Sequence, residues 1–230
     1  MSKPLAAVIL AAGKGTRMDS DLPKVLHEVG GIPMIVHVIH KARSLGAKKI
    51  ITVLGYKYDI VQKALKNESV ECALQLKQLG TAHAVLQCRN LLNHFQGNVL
   101  ILYGDVPLIK VETLSKLMEV HEKENPLSTI LSTDIPNPTG YGRIIRCPDH
   151  SLMKIVEEKD ATNEERQIAE INSGIYVFDA QTLWRLVPLV GNNNKQNEYY
   201  LPDVINLIIQ EKGKVAIDKI KNYVEIEGCI

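Results

Sequence analysis

Short apolar runs alternate along this chain with stretches in which apolar residues return every three or four positions. Residues 5–10, 50–54, 70–74, 98–102 and 128–132 form the short runs and read as strands, the first of them apolar enough throughout to suit a buried one. Between them, Ile35, Val38, Ile39 and Ala42 recur at helical spacing behind Pro33, which is pre-set for a first helical turn, and the segment stops at Gly46. Helical spacing also covers residues 56–65, 82–92 and 111–121. Strands alternating with helices predict an α/β protein with a mostly parallel central sheet and helices on both faces. The rhythm then breaks at Pro136, Pro138, Gly140 and Gly142. Beyond that cluster, residues 143–146, 152–157 and 171–178 read as strands joined by turns, which predicts an antiparallel insertion over the cleft that would hold a second substrate. Residues 180–186 and 201–210 return to helical spacing, 214–217 and 223–226 read as late strands, and Asn192-Asn193-Asn194 is a loop. No internal repeat, heptad or low-complexity segment is present.

Composition narrows the class without changing this outline. The chain has 230 residues, 45% hydrophobic and 23% charged, enough to bury the core of one large domain. A net formal charge of +1 gives no general attraction to nucleic acid or an acidic membrane, so neither is expected as a partner and anion recognition must be local. Cys72, Cys88, Cys147 and Cys229 lie far apart with no C-x-x-C pair, which argues against a zinc site and reads as free thiols. The N-terminal apolar run is about seven residues, far short of the ~20 that span a bilayer. A cytoplasmic location is the expectation.

Candidate chemistry begins directly behind the first run, in Leu10-Ala11-Ala12-Gly13-Lys14-Gly15-Thr16-Arg17-Met18 followed by Pro23-Lys24. Glycines after a buried strand let backbone N–H groups turn towards an anion, and Arg17 and Lys24 add fixed charge. The spelling is neither a Walker A loop nor a G-x-G-x-x-G fingerprint, since the third glycine position is Met18. Taken alone, Gly13-Lys14-Gly15 reads first as a glycine turn between strand and helix with two surface cations beside it.

A second landmark is Tyr103-Gly104-Asp105, just past the run at 98–102. An aspartate there sits at the carboxyl edge of the sheet, where open α/β sheets bind ligands, and is either a Mg²⁺ ligand or the cap of a turn. Gln75 with Gly80-Thr81 is a third. A glutamine amide offers a donor and an acceptor face that match a pyrimidine edge, its donor meeting a uracil carbonyl, and exposed N–H groups at a helix start can add to it. Helix capping is the alternative.

The unusual half holds Thr139-Gly140-Tyr141-Gly142-Arg143-Ile144, a run from Ile155 to Ala161 that includes Glu157, and Glu170-Ile171-Asn172-Ser173-Gly174-Ile175. Gly142 allows close approach to backbone, Glu157 can accept from hydroxyls, and Asn172 can both donate and accept, as sugar recognition requires. A solvated charge is the other reading of Glu157. Asn197-Glu198-Tyr199-Tyr200 is a further distinctive string.

Together, and in this order, these strings resemble the sugar-1-phosphate nucleotidyltransferases, specifically the N-acetylglucosamine-1-phosphate uridyltransferase type, over essentially the whole chain. The resemblance implies a Rossmann-like fold as a single domain over residues 1–230. It implies the reaction of UTP with N-acetyl-α-D-glucosamine 1-phosphate to give UDP-N-acetylglucosamine and pyrophosphate, a step towards peptidoglycan and lipopolysaccharide, with Mg²⁺ as cofactor. It assigns Leu10, Ala11, Ala12, Gly13, Gly15, Thr16, Arg17, Lys24, Gln75, Gly80 and Thr81 to the nucleotide, and Tyr103, Gly104, Gly142, Glu157 and Asn172 to the sugar. Arg17, Lys24 and Asp105 would act at the reacting phosphates, with Asp105 holding the metal; the histidines, His27 and His83 included, need no catalytic role.

Two departures accompany the resemblance. Bifunctional members of the family continue into a left-handed β-helix that transfers acetyl groups and makes trimers; no such repeat is present, so acetyl transfer is not expected and the oligomeric state is open. The family also places a Mg²⁺-binding asparagine two residues after a Glu-Gly, and here that position is Ile230, which cannot ligate. A related nucleotidyltransferase of other specificity, or a uridine-nucleotide-binding module with little turnover, are the readings that stand beside the first.

Overall fold

The computed structural model describes residues 3–15 and 20–228. Thr16, Arg17, Met18, Cys229 and Ile230, singled out in the sequence, therefore lie outside the described residues. Within them, β1 (Leu5–Ala11) is the axis of the sheet, paired in parallel with β4 (Lys49–Leu54) on one side and β6 (Asn98–Tyr103) on the other. Its alternating side chains enter two cores. Ala6, Val8 and Leu10 join one cluster, and Ala7, Ile9 and Ala11 the other. Full burial of an aliphatic side chain such as Ile9 is worth about 1.5–3 kcal/mol, so a strand apolar on both faces is stable only at the centre of a covered sheet.

The sheet continues outward through β5 (Glu71–Leu74), parallel to β4. On the other side, β10 (Glu170–Asp179) lies antiparallel between β6 and β7 (Ser128–Asp134), and β11 (Val215–Ile220) closes the edge parallel to β7. Helix α1 (Met34–Ser44) and helix α5 (Val111–Glu124) cover one face; α3 (Thr81–Leu86), α7 (Ala180–Leu186) and α8 (Pro202–Gln210) cover the other. The α/β arrangement expected from the alternation is present. Helix α2 (Tyr58–Ala64) follows β4, and the small hairpin Glu28–Val29 with Ile32–Pro33 precedes α1.

Three expectations change. The segment at 171–178 is not an arm of the insertion but most of β10, a central strand; its almost unbroken burial is the signature of that position. The insertion proper is the hairpin of β8 (Gly142–Arg146) and β9 (Leu152–Val156), anchored antiparallel on the start of β10 through Asn172 opposite Gly142. The helix read over 82–92 divides into α3 and a separate turn, Arg89–Leu92. The late strand read over 223–226 is a 3-10 turn, because buried Glu225 accepts from the Thr113 hydroxyl at 2.6 Å and the Lys110 amide at 3.3 Å, drawing the chain to the start of α5 instead of a sheet edge. Among the described residues no helix is long and apolar enough to cross a membrane.

Candidate functional site

The carboxyl ends of β1, β4, β5 and β6 run the same way, so the segments that follow them converge at one edge of the sheet. Behind β1, Ala12, Gly13 and Gly15 lead into the loop, and Gly15 adopts φ +59°, a left-handed turn. A Cβ there would stand 2.7 Å from the Cβ of Lys24, so only glycine lets the loop cross the base of that side chain. Lys24 opens a 3-10 turn, Lys24–Leu26, whose Val25 and Leu26 are buried and hold the lysine in place. Its ammonium reaches Asp105 Oδ2 at 2.8 Å.

A cavity of about 420 Å³ lies on one side of this ion pair. Leu10, Ala11, Ala12, Gly13, Gly15, Lys24, Gln75, Gly80 and Thr81 line it, every residue expected at the nucleotide that falls within the described ones. Glu198, Gln78, Tyr103 and Asp105 line it too. Gly80, with φ +109°, passes so close to Tyr199 that a Cβ would lie 2.4 Å from that residue's carbonyl oxygen. The Tyr199 amide donates to Leu79 O at 2.8 Å and its carbonyl accepts from Ala82 N at 2.9 Å, which clamps the start of α3. The Thr81 hydroxyl accepts from Leu201 N at 2.9 Å, so its oxygen also serves the fold.

Gln75 departs from its expected orientation. Its Nε2 donates to Gly80 O and faces His83 Nδ1, each at 2.9 Å, so both amide hydrogens are engaged within the chain. Because a carbonyl oxygen only accepts, the amide cannot be reversed without setting two acceptors against each other. The group left for a ligand is Oε1, an acceptor, and not the donor.

A second cavity of about 490 Å³ opens on the other side of the pair, lined by Lys24, Tyr103, Asp105, Gly142, Glu157 and Asn172, with Thr139, Tyr141 and Gly228 nearby. Asn172 is buried; its Nδ2 donates to the Tyr176 hydroxyl at 2.5 Å and its Oδ1 accepts from Gly174 N at 3.2 Å, leaving one hydrogen and one lone pair. The Glu157 carboxyl is pushed up to about 7, first by burial and then by the charges of Asp203, Asp160 and Glu198, against the opposing pull of Arg143. Burial, with Glu157 and Asp105 adding to it, also raises the Tyr103 phenol, which stays neutral. The guanidinium of Arg143, 1% exposed, donates to Glu158 Oε2 at 2.7 Å and to Tyr141 O, fixing the turn that carries Gly142.

One expected sugar residue is not at either cavity. Gly104 is buried between strand ends, its amide donating to Leu10 O at 2.9 Å and its backbone packed on Val25, Ala11 and Ile35. It spaces Asp105 from β6 and offers no surface to a ligand. Glu198, conversely, lines the first cavity, although the sequence marks it only as part of a distinctive string without a role of its own. The string Asn197-Glu198-Tyr199-Tyr200 carries the signal, but its distance along the chain from Gly80 hides that both line one cavity.

Two joined cavities at the carboxyl edge of a parallel sheet, one rimmed by a glycine loop and both touching one cation and one carboxylate, define a nucleotide-handling α/β protein, and the chain belongs to the nucleotidyl transferase family, whose model matches residues 6–223. It is 49% identical over 223 residues to the bifunctional protein GlmU of Halalkalibacterium halodurans and 50% identical over 222 residues to that of Alkaliphilus metalliredigens. These matches take in 96% of this chain but 49% and 48% of the two relatives, so the chain spans about half their length. A protein of Bacillus anthracis assigned as a glucose-1-phosphate thymidylyltransferase, solved with sucrose, superposes with a TM-score of 0.73 over 94% of this chain and 87% of its own, at 18% identity. That likeness concerns the fold.

Proposed function

We propose that the chain transfers a uridylyl group from UTP to N-acetyl-α-D-glucosamine 1-phosphate, releasing pyrophosphate and UDP-N-acetylglucosamine. The observation that carries this reading is the Lys24–Asp105 pair that lines both cavities, one also lined by Gln75 with an acceptor for a base N–H and the other with sugar-binding polarity. A nucleotide laid along the first cavity brings its α-phosphate to the pair, and a sugar phosphate in the second brings its oxygen to the same place.

An oxygen of the sugar phosphate attacks the α-phosphorus as the bond to pyrophosphate breaks, so no nucleophilic side chain is needed and the protein contributes positioning and charge. Lys24 neutralises phosphate oxygens at the reacting centre, and Arg17 is assigned to the triphosphate. Glu157 and Asn172 orient the sugar hydroxyls and acetamido group. Asp105 suits Mg²⁺ as a hard-oxygen donor, partly exposed where both phosphates would arrive; among the described residues no three His, Cys, Asp or Glu side chains converge, so phosphate and water oxygens would complete the shell. When bound there, the ion supplies charge neutralisation to the phosphates.

The test is initial pyrophosphate release with Mg²⁺ across UTP, dTTP, CTP, ATP and GTP, each paired with N-acetylglucosamine 1-phosphate and with glucose 1-phosphate. UTP with N-acetylglucosamine 1-phosphate is expected to be fastest by at least tenfold. Preference for another pair, or no release from any, would overturn the assignment.

A further inference from the structure

We propose that His83, which touches no reacting group, is the positioning residue that holds the Gln75 amide in the orientation that selects the base. The proposal rests on the reading of Gln75 as the base contact. Gln75 follows β5, with its own amide bonded to Leu54 O at 2.8 Å, so its backbone is fixed and the freedom that remains is in the side chain. With 3% exposure, an amide there is held by its partners and not by water. Gly80 O takes one hydrogen and the lone pair on His83 Nδ1 takes the other, each at 2.9 Å, and Oε1 is what remains to meet a ligand.

The arrangement requires a neutral ring with its hydrogen on Nε2. Burial lowers the imidazole pKa below its usual value, which favours that state. Three groups face the ring. Gln75 lies at Nδ1, Tyr199 stacks at a tilt with centroids 6.4 Å apart, and the Gln87 amide approaches Nε2 at 3.3 Å while donating to His83 O at 2.9 Å. Hydrogen on Nε2 therefore meets the Gln87 nitrogen at a loose 3.3 Å on a half-buried side. The other tautomer would reverse Gln75 and put its oxygen 2.9 Å from Gly80 O in the buried interior, where an unsatisfied acceptor costs more. The first mismatch is the smaller.

An acceptor held at Oε1 meets the N3–H of uracil or thymine and opposes the N3 lone pair of cytosine. Gly80 O alone engages one amide hydrogen; His83 doubles the hold, and a hydrogen bond of ordinary strength corresponds to a several-fold change in an equilibrium.

The experiment measures kcat and KM for UTP and CTP with wild type, His83→Leu, His83→Asn and Gln75→Leu, beside the ring tautomer of His83 by ¹⁵N NMR of the wild-type protein. For His83→Leu the UTP-over-CTP preference in kcat/KM should fall about five- to tenfold, with the loss in KM for UTP. His83→Asn, whose Oδ1 stands where Nδ1 does, should recover the preference to within about twofold. The ring should carry its hydrogen on Nε2. A preference unchanged in His83→Leu but lost in Gln75→Leu would overturn the role of His83 alone; a preference unchanged in both would overturn the base reading itself. A ring protonated at Nδ1 would overturn the proposal even if His83→Leu gave no soluble protein.

Discussion

At the scale of single residues, the site depends on charges whose surroundings set their strength. Lys24 and Asp105 are each about a fifth to a quarter exposed, so their attraction is screened and adds little to stability. Aimed at a developing phosphate charge, the same ammonium is worth far more, because it is already in place. Lys24→Ala should therefore lower kcat/KM by about 10²–10³-fold and shift the melting temperature by no more than about 2 °C. Steady-state kinetics beside a thermal melt checks it, and a retained kcat/KM would remove Lys24 from the reacting centre.

Glu157 presents the opposite balance. In the fold it stays protonated up to about pH 7, whereas in the unfolded chain it ionises near 4.5. Between those values the folded state binds the extra proton, so the contribution of Glu157 to stability falls as pH rises through this window. Glu157→Gln should melt with wild type near pH 4.5 and above it by about 6–12 °C at pH 8, roughly 3 kcal/mol. If Glu157 accepts from the sugar, the same variant should also raise KM for the sugar phosphate at pH 8. Melting curves that run parallel from pH 4.5 to 8 would mean the carboxyl ionises normally.

At the scale of elements, one carboxylate reinforces the seat that backbone pairing with β10 and the Asn206 side chain give the hairpin β8–β9. Glu170, at the start of β10, accepts from Arg146 Nε at 2.8 Å and Nη2 at 2.7 Å and from the Ser132 hydroxyl at 2.7 Å, with Lys219 at 3.6 Å. These contacts join β8, β10, β7 and β11. Burial alone would raise the Glu170 carboxyl, but the hydrogen bonds from Arg146 and Ser132 and the neighbouring positive charges outweigh it, and the group lies below its usual value. The stability it confers is thus present above the ordinary carboxylate range and is lost as pH falls through the lowered value. Glu170→Ala should cost about 2 kcal/mol at pH 7, or roughly 4–8 °C, with the deficit shrinking in acid. Because Gly142 and Glu157 ride on this hairpin, KM for the sugar phosphate should rise while UTP affinity measured by calorimetry holds. An equal loss of both would show that the hairpin does not move alone. The short helix Asn163–Arg166 beyond it, absent from the periodicity, was still spelled locally: Thr162 and Glu165 form a reciprocal capping box.

At the scale of the whole molecule, the chain by itself determined the parts made by near neighbours. Near-continuous apolar runs mark β1, β4 and β6 because each buries both faces, whereas β5 lies at the sheet edge with Glu71 and Leu74 exposed; the glycine loop, Lys24 and Asp105 could be placed at one edge because parallel strands end there. Three things were decided only by tertiary contact. Periodicity reports burial but not direction or partner, so nothing in residues 171–178 says that β10 threads antiparallel between β6 and β7. Nothing in Tyr223-Val224-Glu225-Ile226 says that Glu225 will be captured by Thr113, 112 residues earlier. The orientation of Gln75 depends on Gly80 O and His83 Nδ1 both reaching one nitrogen, and an amide written as one letter carries donor and acceptor alike until its neighbours choose between them.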